Sequence, residues 1–272
     1  HLKLDRYIPD NRKWEEMIEK IRKIDKSNKV KIAIVGKYIK LEDSYISVIE
    51  SVKHAGFAND VETEIKLIDA EKITKDTADE MLKEFQGIIV PGGFGNRGIE
   101  GKIETIKYAR ENKIPFLGIC LGMQMAVVEY ARDVLGLKDA NSQEFDEKSK
   151  NQVIHIMENQ KSVNKKGGTM RLGSYPCIIK EGTLAEKVYG TKEIAERHRH
   201  RFEYNNDYKE RLENAGLICS GTSPDGELVE IVELSQKEHP FFIAGQFHPE
   251  LKSRPNKPAP LFVELVKVAK TR

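Results

Sequence analysis

The chain has 272 residues, 39% hydrophobic and 32% charged, and its 45 Lys+Arg against 43 Asp+Glu leave a formal net charge of +2. At roughly 100–200 residues per domain this allows one large α/β domain or two small ones, and so balanced a charge excludes a global field that would draw nucleic acid or an anionic membrane. No apolar run nears the ~18 residues of a membrane span, "HLKLDRYIPD" has no signal-peptide core, and Cys120, Cys177 and Cys219 fit neither a disulfide framework nor a zinc site, so a soluble, cytoplasmic protein with a free thiol is expected.

In "DNRKWEEMIEKIRKIDK", residues 10–26, Trp14, Met17, Ile18, Ile21 and Ile24 recur at helical spacing after Asp10. This predicts a short amphipathic helix with an Asp cap, in a joining segment that occupies residues 1–28 ahead of a domain spanning 29–272. From Lys29, "KVKIAIVGKY" reads as a strand, "DSYISVIESVKHAGF" as a helix ending at Gly56, and "VETEIKLIDA" as a strand. Helix "TADEMLKEF", strand "GIIVP", helix "IEGKIETIKYAREN", strand "IPFLGI" and helix "LGMQMAVVEYARDVLG" follow. Strands alternating with helices, most of them apolar throughout, predict an α/β fold with an open, mostly parallel central sheet flanked by helices.

The second half changes character. "QVIHIM", "TMRLGSYPCIIK", "IAERHRHRFEYN", "LICSGTSP", "LVEIVEL" and "FFIAGQFHP" read as strands with few helices between them, and "APLFVELVKVAKT" closes the chain as a helix. Antiparallel additions to the sheet are expected there. "ENQKSVNKKGG", residues 158–168, reads as one polar, mobile loop.

"GFGNRG", residues 93–98, matches the glycine spacing of a dinucleotide-binding turn, after a strand and before a helix. The acidic residue that such a turn needs about 20 positions on is missing, since Ile114 to Val128 contain no Asp or Glu. "GNRGIEGK" fails as a phosphate loop, with Asn96 and Ile103 where Gly and Ser or Thr belong. The glycines then serve turn geometry, or let backbone approach a ligand.

Gly118-Ile119-Cys120-Leu121-Gly122 is the cysteine counterpart of the GxSxG nucleophile elbow, at a strand-to-helix junction. A turn this tight holds the sulfur out at the carboxyl end of the sheet, over a helix amino terminus that favours thiolate. The Leu121 N–H and a donor from the Gly93 turn can hold an oxyanion. Cys177 and Cys219, within strands and without flanking glycines, read as small buried hydrophobes. In "FFIAGQFHPE", His248 and Glu250 offer a base and the carboxylate that orients it. Along a strand, Arg197, Arg199 and Arg201 would face one way and His198 and His200 the other, a small patch bracketed by Glu196 and Glu203 that does not suit nucleic acid. His54 and His155 read as structural.

"PGGFG", "GICLGMQ" and "QFHPE", in this order, resemble the class I (triad) glutamine amidotransferases. "GKYIKLEDSYISVIESVKHAG", "PGGFGNRGIEGKIETIKYAREN", "ANSQEF", "GGTMRLG" and "ERHRHRFEYNN" are similar, more closely, to the glutaminase domain of the CTP synthase family, from Lys29 to the carboxyl terminus. The resemblance implies hydrolysis of glutamine to glutamate and ammonia without a cofactor or metal, with Cys120 as nucleophile, His248 as base and acid, and Glu250 as its partner. It further implies oxyanion donors at Gly93 and Leu121 with Phe94 alongside, and a glutamine site of Gly122, Met123, Gln124, Glu144 and Arg201.

In that family an amidoligase half, expected here to be absent, uses ATP and Mg2+ to convert UTP to CTP with the ammonia. GTP activates the whole enzyme, which forms tetramers. Residues 146–168, short by comparison, fall near the lid associated with GTP. Two alternatives stay open: a γ-glutamyl hydrolase of the same fold, and a catalytically silent binding module. A papain-like protease is disfavoured, because it lacks a parallel sheet and would need a CGSCW-like segment.

Overall fold

A computed structural model describes residues 10–39, 41–157 and 170–272. The strands are β1 (Lys29–Gly36), β2 (Glu62–Asp69), β3 (Gly87–Val90), β4 (Phe116–Ile119), β5 (Asn141–Ser142), β6 (Gln152–Ile156), β7 (Arg171–Ile179), β8 (Glu193–His200), β9 (Phe202–Tyr204), β10 (Ile218–Thr222), β11 (Val229–Glu233) and β12 (Phe242–Gly245). The helices are α1 (Arg12–Arg22), α2 (Ile46–Ala58), α3 (Ala78–Leu82), α4 (Ile99–Glu111), α5 (Leu121–Asp133), α6 (Leu184–Tyr189), α7 (Lys209–Asn214) and α8 (Pro260–Lys270).

Nine strands form the central sheet in the order β2-β1-β3-β4-β12-β11-β10-β7-β8. The run from β2 to β12 is parallel, and β12-β11-β10-β7-β8 continues antiparallel. "GIIV" and "FLGI" are only four residues each, yet every one is buried, because helices cover both faces of the sheet. On one face Ile103 and Ile106 of α4 pack with Met125 and Val128 of α5. On the other, Val48 and Val52 of α2 meet Leu265 and Val266 of α8. At about 1.5–3 kcal/mol per buried aliphatic side chain, this two-sided cover outweighs the weak propensity of such short strands. No helix among the described residues is long and apolar enough to cross a membrane.

Register brings the ends of three strands together. Val90 pairs with Gly118, and Gly118 with Ala244, so the residues that follow β3, β4 and β12 emerge side by side at the carboxyl edge. "FFIAG" therefore joins the two parts of the sheet, parallel to β4 on one side and antiparallel to β11 on the other.

Several local expectations change. The cap of α1 is Asn11, with no side-chain bond; Asp10 instead accepts from the Arg12 N–H at 3.2 Å and from its guanidinium at 2.9 and 2.7 Å. Gly56 lies inside α2 rather than ending it, because a Cβ there would stand 2.8 Å from the Val61 carbonyl oxygen as the chain returns into β2. "IAERHRHRFEYN" breaks at Arg201 into β8 and β9, which lie in different sheets; the smaller sheet has the order β5-β6-β9. Helices α6 and α7 interrupt the second half. The polar loop at 158–168 lies outside the described residues.

Candidate active site

Cys120 occupies the corner between β4 and α5 with φ 53° and ψ −103°. A non-glycine residue in such a conformation costs about 1–3 kcal/mol and persists only where its surroundings impose it. Here they do. The Cys120 N–H continues the sheet ladder to the Gly245 carbonyl at 2.7 Å, while the Cys120 carbonyl accepts from Met123 and Gln124 at 3.0 and 3.2 Å as the first turn of α5. A Cβ on Gly122 would lie 2.0 Å from the Val90 carbonyl oxygen, so that turn rests directly on β3.

The sulfur stands in the wall between two cavities. One, of about 390 Å³, is lined by Phe94, Gln124, Glu144 and Arg201; the other, of about 380 Å³, by Tyr45, Arg199, His248 and Glu250. Gly93, Phe94 and Cys120 line both. Around the sulfur lie the Gln246 side-chain nitrogen at 3.7 Å and the Arg199 carbonyl at 3.8 Å.

His248 is held by its backbone, whose N–H reaches the Arg197 carbonyl on β8 at 2.7 Å. Pro249 then opens a short 3-10 turn that folds Glu250 back under the ring. His248 Nδ1 lies 2.7 Å from Glu250 Oε1, and Nε2 is buried with no hydrogen-bond partner. A Cβ on Gly92 would meet His248 Cε1 at 2.9 Å and Cys120 Cβ at 3.5 Å, so ring and thiol converge over that glycine. Burial works against a charged imidazole, but the Cys120 sulfur and the Glu250 carboxylate outweigh it and lift His248 to about 10. Glu250 beneath the ring and Cys120 beside it thus both favour the imidazolium.

The Leu121 N–H, first in α5, has no acceptor within the helix. The turn at 91–95 comes up beside it, fixed by Lys37 Nζ donating to the Gly95 carbonyl at 3.0 Å and by the Gly95 N–H donating to Glu144 Oε1 at 3.1 Å. Gly95 and Gly98 have φ of 75° and 72°, so the glycines of "GFGNRG" shape a turn against the cysteine.

Gln124, Glu144 and Arg201, from α5, the segment after β5, and the break between β8 and β9, meet in the first cavity with Phe94 and Leu121. Gln124 Nε2 donates to the Phe202 carbonyl at 2.9 Å and to Gln246 Oε1 at 3.2 Å. Gly122 and Met123 line neither cavity, since Gly122 is pressed on β3 and the Met123 side chain is sealed in the core beneath α5.

The arginines and histidines of "RHRHR" alternate as far as His200: Arg197 and Arg199 are exposed, His198 and His200 buried. Burial drives His200 down to about 3 and His198 lower, so both are neutral, with His200 Nδ1 tied to the Phe202 carbonyl at 2.9 Å. Beneath them Arg171 and Glu230 form a buried pair at 2.6 Å. His54 is tied to Ser253 at 3.0 Å. Burial pushes the Cys177 thiol well up and Cys219 up to about 11. Among the described residues no group of three or more His, Cys, Asp or Glu is placed to hold a metal.

Gly92, Gln246 and His200 belong to this site without having been singled out in the sequence. Gly92 and Gln246 lie inside the motifs "PGGFG" and "QFHPE" without a role of their own having been read there; His200 had no signal beyond strand alternation.

The family model for glutamine amidotransferase class-I matches residues 40–268. CTP synthases of Geobacillus kaustophilus and Clostridium acetobutylicum are 53% and 55% identical over 269 and 270 residues, 99% of this chain and 50% of theirs. The chain thus spans about half the length of these curated relatives. The solved glutaminase domain of Trypanosoma brucei CTPS, with bound acivicin, superposes with a TM-score of 0.82 at 42% identity, covering 89% of this chain and 94% of that one.

Proposed function

We propose that this chain, which belongs to the class I glutamine amidotransferases and within them to the CTP synthase glutaminase domains, hydrolyses L-glutamine to glutamate and ammonia through Cys120, His248 and Glu250. The observation that carries the reading is the position of the Cys120 sulfur, on a corner with φ 53°, between a cavity bearing a carboxylate and a guanidinium and the paired His248 and Glu250.

Substrate enters the first cavity with its α-carboxylate on Arg201 and its α-amino group on Glu144. Gln124, whose amide nitrogen is already engaged, offers its carbonyl oxygen to the same amino group. Two opposite charges gripped at one end fix the γ-amide over the sulfur. The thiolate attacks the amide carbon, and the electron pair of the C=O moves onto oxygen, where the Leu121 and Gly93 N–H groups receive it. The tetrahedral intermediate collapses as His248 gives its proton to the leaving nitrogen, and ammonia departs from a thioester. Neutral His248 then takes a proton from water, whose oxygen attacks the thioester and frees glutamate. Glu250 holds the ring in the tautomer that both steps need.

The match to half of each CTP synthase relative supports the wider reading. There the ammonia passes to an amidoligase domain that converts UTP to CTP with ATP and Mg2+, in an enzyme that is tetrameric and activated by GTP. The segment through residue 28, with α1 laid near α2 by Lys20 at 3.2 Å from Asp60, would join the two halves. Glutamine and a γ-glutamyl peptide, offered in parallel and followed by glutamate release, test the substrate. Release from glutamine supports the reading, whereas release from the peptide alone would assign a γ-glutamyl hydrolase.

A further inference from the structure

Lys102, on α4, is fully buried, and its Nζ has no hydrogen-bond partner. That nitrogen lies 3.6 Å from where a Cβ on Gly93 would stand, with Leu121 Cδ2 at 3.5 Å from the same point. An ammonium therefore sits directly beneath the turn and the helix start that supply the oxyanion donors. A lysine needed only for volume would be replaced by methionine at lower cost, because a cation out of water without a partner is expensive.

The charged groups facing it come from four places. Lys37 after β1 and Arg97 ahead of α4 oppose its charge; Cys120 at the elbow and Glu144 after β5 favour it. Three of the four are already engaged with backbone: Lys37 with the Gly95 carbonyl at 3.0 Å, Arg97 with the Lys37 carbonyl at 3.1 Å, and Glu144 with the Gly95 N–H at 3.1 Å. Charge at Cys120 is the one that appears and moves during the reaction. Burial, aided by Lys37, brings Lys102 down to about 7, so its protonation responds to a neighbouring anion near neutral pH.

We propose that Lys102 is a positioning residue of the amide hydrolysis, its ammonium beneath the Gly93 turn supporting negative charge as this passes from the Cys120 sulfur into the backbone hole. The inference rests on the glutaminase reading. Lys102 lines neither cavity and so makes no bond to substrate. Its effect falls on the charged intermediate, and so on kcat more than on KM.

The test compares the wild-type chain with Lys102→Met and Lys102→Gln, using glutamine kinetics and the pH dependence of Cys120 alkylation by iodoacetamide, read by peptide mass. Lys102→Met should unfold no earlier than wild type, lose about 10–100-fold in kcat with KM within about twofold, and alkylate more slowly at Cys120 near neutral pH. An unchanged kcat together with an unchanged alkylation profile would overturn the proposal. Should both variants fold poorly, the wild-type chain suffices: the Lys102 Nζ titration, followed by NMR, must shift down once Cys120 is capped, and an unmoved midpoint counts against it. If wild type hydrolyses no glutamine, the glutaminase reading fails, while alkylation and NMR still decide whether Lys102 and Cys120 are coupled.

Discussion

His248 Nδ1 lies 2.7 Å from Glu250 Oε1, although only Pro249 separates the two residues in the chain. The short 3-10 turn Pro249–Leu251 that follows His248 brings the Glu250 side chain to the ring. With one ring nitrogen committed to the carboxylate, only Nε2 is left for the proton exchange proposed at the sulfur. Glu250→Gln keeps the shape and removes the charge, so kcat for glutamine should fall about 10²–10⁴-fold with little change in KM. Steady-state kinetics on a variant whose thermal unfolding matches wild type would show this, and a loss under threefold would remove Glu250 from the account.

The pH dependence follows from the same pair. With His248 raised to about 10, the imidazolium proposed to protonate the leaving nitrogen is present below that value and lost above it. The alkaline limb of kcat is therefore expected well above neutrality, and in Glu250→Gln it should move to lower pH because one of the groups favouring the cation is gone. A wild-type limb near pH 6.5, the ordinary range for histidine, would contradict the ion pair.

Two glycines that differ only in what surrounds them separate activity from stability. Gly122→Ala would place a methyl 2.0 Å from the Val90 backbone oxygen, and β3 cannot yield, so the variant should be poorly folded. Gly92→Ala would instead meet the His248 ring edge at 2.9 Å, a side chain that can swing aside. It should unfold within a few degrees of wild type yet lose at least about 100-fold in kcat, since small displacements in a catalytic pair are costly. Thermal melts beside glutamine kinetics distinguish the two.

Arg201 faces the cavity because the strand breaks at that residue. On the proposed reading, Arg201→Met removes the cation that grips the substrate α-carboxylate, a charge-assisted contact of about 1.5–3 kcal/mol. KM for glutamine should rise about 10–150-fold, while the rate of Cys120 alkylation by iodoacetamide, which has no carboxylate to grip, stays within about threefold. A parallel loss in alkylation would show that the arginine shapes the cysteine rather than the substrate.

What could be read from the sequence was local. Gly118 and Gly122 around Cys120 carry a conformational demand that few other residues meet, and the apolar runs "GIIV" and "FLGI" announced strands covered on both faces. What could not be read depends on partners distant in the chain. Pairing of β12 with β4 joins residues some 125 positions apart, such as Gly118 and Ala244, and nothing in "FFIAG" distinguishes a parallel neighbour from an antiparallel one. Alternation along "ERHRHRFEY" hid the change of sheet at Arg201, because both strands keep the same period. Lys102 draws attention only as the last residue of the failed phosphate loop "GNRGIEGK", and it is the packing of α4 beneath the turn that makes it a buried cation. Gly56 resembled a helix stop, when what it provides is room for the chain entering β2.

The account depends most on which thiol reacts with a substrate-shaped electrophile. Treating the chain with acivicin, then digesting it and weighing the peptides, should place one adduct on Cys120, slowed by added glutamine and abolished in Cys120→Ala, while Cys177→Ala and Cys219→Ala label as wild type does. An adduct on Cys177 or Cys219, or glutamine hydrolysis that survives in Cys120→Ala, would contradict it.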